Sequence, residues 1–145
     1  MRKIGMVAMA AIGLGTAVLA HSGVKNPAVK ARMDLMGEIK DATGVLGGMA
    51  KGEIAFDPAR AAAAREALIE QAGRIPPAFE ARETDPKSEA RDEIWTDWDG
   101  FIARARAMED AAAALNAGSL DGVRAGMGAL GQSCGGCHKP YRIDK

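Results

Sequence analysis

From Leu120 onward, Leu120, Val123, Met127, Leu130, Cys134, Cys137 and Tyr141 follow one another at intervals that alternate between three and four. Only an α-helix, with ~3.6 residues per turn, gathers such positions on one face; a strand would divide them between two. Both cysteines continue the apolar seam, so they lie on the core side of that helix. Three further segments carry the same period. Asn26-Pro27 supplies a cap and a proline at the first helical position, where its missing N–H costs nothing. Leu35, Ile39, Ala42, Leu46 and Met49 extend that helix to about Lys51-Gly52. Asp57-Pro58 repeats the start signal, and Ala61, Ala64, Leu68 and Ala72 carry a second helix until Pro76-Pro77 stops it. Residues 75–90, with three prolines and mixed charges, read as a loop. A third helix runs from about Arg91 to Asn116 through Ile94, Trp98, Phe101, Ala105, Met108, Ala112 and Leu115; Gly118 ends it and Ser119 caps the fourth. No segment shows the sustained alternation of a strand. Four amphipathic helices with short or moderate links predict an all-α, antiparallel four-helix bundle with helices ~20° off parallel.

A chain of 145 residues is one domain's worth, and 48% hydrophobic with 26% charged residues excludes a disordered tail and a membrane bundle alike. Nineteen basic and nineteen acidic side chains cancel without a basic block, which argues against a nucleic-acid partner. The first twenty residues stand apart. Arg2 and Lys3 precede an uncharged run from Ile4 to Leu19, and Val18-Leu19-Ala20 offers small residues for a signal peptidase. The run is shorter than the ~20 apolar residues of a spanning helix. Residues 1–20 therefore read as a cleaved signal peptide, leaving 21–145 as the mature domain in the periplasm, without a membrane anchor and formally at −2.

Cys134-Gly135-Gly136-Cys137-His138 is the C-x-x-C-H pattern of covalent haem c attachment. Thiols three residues apart share a helical face, so both can add to the two vinyl groups of one porphyrin, and His138 then supplies an imidazole to the iron. The two glycines between them remove side chains that would crowd the macrocycle. A thioredoxin-like dithiol would need a βαβ unit, and zinc wants four ligands where the chain has two Cys and two His in total, one of them His21 at the new terminus. Gly122, Gly126, Gly128 and Gly131 each cost ~1 kcal/mol in a helix relative to Ala, which points to close approach of this helix to something flat or to another backbone.

The C-x-x-C-H-x-x-aromatic-Arg ending, Cys134 to Tyr141-Arg142, resembles the cytochrome c prime family, whose haem motif lies at the C-terminal end of a four-helix bundle. Ile94-Trp95 with Phe101 is similar to the family's third-helix signature, and Arg32 with Met36 to its haem-facing pair on the first helix; Pro140 departs from the commoner polar residue. The resemblance spans roughly residues 27–143. It implies that Met36 faces the distal side of the iron, as in the low-spin, methionine-ligated relatives, and that Arg32 pairs with a haem propionate. Met33, one turn back, is the alternative sixth ligand. By themselves the five methionines Met33, Met36, Met49, Met108 and Met127 are equally well core filler, and Trp95 and Trp98 are apolar cover.

The function implied is that of a periplasmic monohaem c-type cytochrome passing single electrons between redox partner proteins, not an enzyme. The alternative is a site that is open, or opened by displacement of Met36, and that binds nitric oxide or carbon monoxide. A peroxidase would need distal acid–base groups, and the chain offers no plausible distal histidine. The resemblance also implies homodimers through the first two helices.

Overall fold

The computed structural model describes residues 23–143; the expected signal peptide and His21 lie outside them. Six helices follow in order: α1 (Pro27–Lys51), α2 (Pro58–Gly73), α3 (Ile75–Phe79), α4 (Glu93–Thr96), α5 (Trp98–Ala114) and α6 (Leu120–Tyr141). The four long ones pack in the ring α1–α2–α5–α6, the antiparallel four-helix bundle expected from the apolar periods. The caps form as read. Asn26 accepts from the N–H groups of Ala28 and Val29 at 2.9 and 3.1 Å, and Asp57 from those of Ala59 and Arg60 at 2.9 and 3.1 Å. Gly52 closes α1 in the left-handed region at φ 78°, which a residue without Cβ adopts at no steric cost. Ser119 accepts from Gly122 N–H at 3.1 Å to start α6.

Two expectations are corrected. Pro76-Pro77 does not end the second helix; α2 has already stopped at Gly73, and the prolines sit in the first turn of the five-residue α3. First-turn N–H groups have no intrahelical partner, so proline there removes nothing. The helix expected over 91–116 is two helices divided at Asp97, whose φ of −126° and ψ of 54° leave the helical region, and it ends at Ala114 instead of Asn116.

The core is built from the predicted faces. Leu35, Leu46, Met49, Leu68, Ile94 and Leu130 are fully buried, each worth ~1.5–3 kcal/mol relative to exposure. Phe101 is the hub of the aromatic packing, with Phe79, Trp98 and Tyr141 at centroid distances of 5.2, 5.5 and 5.4 Å. The glycines of α6 divide. A Cβ on Gly126 would lie 2.7 Å from Leu115 Cγ and one on Gly122 would strike the Asn116 carbonyl, whereas Gly128 and Gly131 face open space. Close approach therefore occurs at the α5–α6 corner and accounts for two of the four. No helix among the described residues is long and apolar enough to cross a membrane.

The segment between α3 and α5 straps the end of the bundle. Asp85 accepts from the N–H groups of Lys25 and Asn26 at 2.8 and 3.0 Å, and Asn26 Nδ2 donates to Glu83 at 2.8 Å. Farther along, Ala90 forms an antiparallel bridge with Arg142.

Candidate haem site

Within α6, Val123, Leu130 and Tyr141 are buried while Met127, Cys134 and Cys137 of the same seam are only half-buried. On α1, Met36 is likewise half-buried, between the buried Leu35 and the half-buried Gly37. The thiols are free, and burial pushes both above their ordinary range, Cys137 to about 11 even with the Arg104 charge opposing it. Two protonated thiols three residues apart on a partly uncovered apolar face suit a flat apolar group that two thioethers would fix there. These residues fit a haem. Of the glycines between them, Gly135 is exposed with nothing within 4 Å of where a Cβ would stand, and a Cβ on Gly136 would make only ordinary contact with Arg104 Nη1 at 3.5 Å.

His138 is the next residue of the same turn, exposed as a residue. Its pKa is lowered, first by burial of part of the ring and then by Arg142, with Glu89 opposing. Around it the chain end is held closely. Arg142 N–H donates to the His138 carbonyl at 2.9 Å, and the Arg142 guanidinium meets Glu89 at 2.9 and 2.7 Å.

The facing helix is in antiparallel register with α6. A Cβ on Gly47 would meet Met127 at 3.7 Å, and Arg124 donates to the Ala50 carbonyl at 3.0 Å. Extended along two straight helices rising ~1.5 Å per residue, that register sets Met36 level with His138, to within about one turn. Met33 falls one turn nearer the chain end, level with Tyr141. Met49 and Met108 are buried filler, and Met127 packs against the core two turns before Cys134.

Arg32 is 3% exposed and already engaged. Its Nε donates to the Ala78 carbonyl at 2.9 Å, Nη1 to that of Glu83 at 2.9 Å, and Nη2 to that of Ala81. The guanidinium also lies 4.9 Å from the Phe79 centroid and 5.4 Å from that of Trp95. Three of its five N–H groups hold main chain, leaving one on each Nη for an acid. Trp95 donates to the Phe79 carbonyl at 2.8 Å and Trp98 stacks on Phe101, so both serve packing as read. Sequence reasoning missed Asp97, which receives the Tyr141 hydroxyl at 2.6 Å, and Glu89; their partners lie 44 and 53 residues away, beyond any local pattern.

A family model described as Cytochrome C' matches residues 27–142. A cytochrome c-556 of Agrobacterium tumefaciens (strain apple 185) is 38% identical over 120 residues, covering 79% of this chain and 94% of its own. Among solved structures, cytochrome c' from Rhodobacter Spheriodes superposes with a TM-score of 0.75 at 32% identity, over 81% of this chain and 96% of that one. The nitric oxide complex of a mutant cytochrome c prime from Alcaligenes xylosoxidans gives 0.71 at 32% identity, over 81% and 94%.

Proposed function

Because this chain belongs to the cytochrome c' family, whose cofactor is covalently attached haem c, we propose that it is an exported single-electron carrier with its iron held by His138 and Met36. When bound, haem c supplies an iron that takes up and releases one electron. Cys134 and Cys137 would hold the macrocycle through two thioethers. His138 would ligate from α6 through its imidazole, and Met36 from α1 through its thioether, a soft neutral ligand that favours the reduced metal and raises the potential. The carrying observation is the α1–α6 register, which supports opposing positions for Met36 and His138 beside a half-buried seam. Arg32 keeps one N–H on each Nη for a propionate while its other donors fix the strap one turn from Met36. Residues 1–20 would direct export to the periplasm, where redox partner proteins exchange the electron. A shallow apolar groove lined by Ala42, Val45, Ala63 and Ala64 and edged by Glu38, Asp41 and Arg60 is the surface of α1 and α2 that a homodimer would use.

The nitric oxide complex of a relative favours a second reading, a gas-binding protein whose sixth position is open or opens when Met36 leaves. One variant separates the two. With Met36 as ligand, the ferric wild type shows the weak near-infrared sulfur-to-iron band and the ferrous form takes up carbon monoxide slowly. Met36→Leu then gives a high-spin spectrum, rapid carbon monoxide binding and a lower potential. Packing should survive, since Leu and Met are close in volume and such swaps cost under ~1.5 kcal/mol. A wild type already high-spin at neutral pH refutes Met36 as ligand and favours the gas-binding reading; a low-spin wild type unaffected by Met36→Leu points to Met33.

A further inference from the structure

The turn that carries His138 is one hydrogen bond short. Pro140 lies inside α6, and without an N–H it cannot serve the Gly136 carbonyl four residues back. Proline in a helix normally kinks or ends it, and α6 ends one residue later, at Tyr141. The missing restraint comes from outside the helix. The Arg91 N–H donates to the Tyr141 carbonyl at 3.0 Å, and the Tyr141 hydroxyl donates to Asp97 Oδ2 at 2.6 Å.

Asp97 is built for that contact. It occupies the N-cap position of α5, where a carboxylate ordinarily accepts from the helix's own first N–H groups, but it makes no such bond. Its carboxylate instead occupies the space that a side chain on Gly100 would need, turned toward Tyr141. A side-chain cap stabilises its helix, so α5 forgoes a local bond for a contact on α6. The break in the expected continuous helix falls at this residue. We propose that Asp97 is a positioning residue for the iron's proximal ligand: by anchoring the Tyr141 hydroxyl it fixes the last turn of α6, and with it the direction in which the His138 imidazole points. This rests on His138 being that ligand.

The test uses holoprotein with covalent haem and reads the ferric electron paramagnetic resonance g-values, which respond to imidazole orientation, beside the thermal midpoint. Tyr141→Phe keeps the ring against Phe101 and removes only the donor; Asp97→Ala removes the acceptor. Each should shift the g-values in the same direction and by a similar amount, and the double variant should shift them no further, because one bond is lost in all three. Asp97→Asn, whose amide oxygen still accepts, should fall between Asp97→Ala and the wild type. A lowered thermal midpoint with unchanged g-values would reduce Asp97 to a merely structural residue and overturn the proposal, as would additive shifts in the double variant. Wild-type g-values in His138→Ala would instead remove the ligand reading beneath it.

Discussion

Arg32 shows how much one side chain can bind together. Its fork takes three carbonyls spread from Ala78 to Glu83, and Phe79 and Trp95 lie against its faces. Burial lowers its pKa, with the nearby Glu83 acting against that. Replacing it with methionine leaves the apolar contacts but removes three hydrogen bonds to part-buried carbonyls, and bonds from a charged group are worth ~1.5–3 kcal/mol each. Arg32→Met should therefore lose about 3 kcal/mol or more in denaturant unfolding. Arg32→Lys should recover only part of this, because an ammonium lacks the planar fork. At the motif the expectation is simpler. Cys134→Ala with Cys137→Ala, expressed with c-type maturation, should yield protein from which acid–organic extraction removes all haem; haem retained after extraction would exclude thioether attachment at these residues. The motif was legible because its chemistry is local, confined to five consecutive residues. The Arg32 clamp was not, since its carbonyl acceptors are main-chain atoms that any residue type could supply.

Among the elements, α1, α2 and α6 start where Asn26, Asp57 and Ser119 indicated, because a cap and the N–H groups it satisfies lie within three residues. The error at Asp97 has the opposite character: the period from Ile94 through Phe101 to Leu115 is continuous, and the residue at the break is partnered by Tyr141 on another helix, which no local pattern shows. The glycines of α6 mislead for a related reason, since propensity sees four equal costs where packing sees two close approaches and two open positions. Gly126→Ala should destabilise by ~1–3 kcal/mol, because Leu115 is buried and its Cβ and Cγ both stand in the way. Gly128→Ala meets nothing within 4 Å and should instead stabilise by up to ~1 kcal/mol. Chemical denaturation of the two variants gives opposite signs if the α5–α6 corner is packed as described.

Across the whole molecule, the strap between α3 and α5 makes acid stability depend on Asp85. The N–H groups of Lys87, Asn26 and Lys25 hold its carboxyl below the ordinary carboxylate range. A group depressed in the folded state contributes stability that is complete above its unfolded pKa of ~3.9 and disappears as pH falls through the folded value. Asp85→Asn should thus be less stable than wild type at neutral pH and lose less on acidification, so the two unfolding curves converge at low pH. A constant gap between them down to acid unfolding would show that Asp85 does not titrate with folding.

The same strap also settles how the molecule bears load. It grips the start of α1 through Asp85 and Glu83 and the end of α6 through the Ala90–Arg142 bridge, so the first and last helices are joined at one end by a segment from the middle of the chain. Tension applied at Asn26 and Arg142 would reach those few hydrogen bonds before it reached the interdigitated core. The bundle would give way like a latch and then a zipper: an early, small extension as the strap lets go, followed by cooperative separation of α1 and α6.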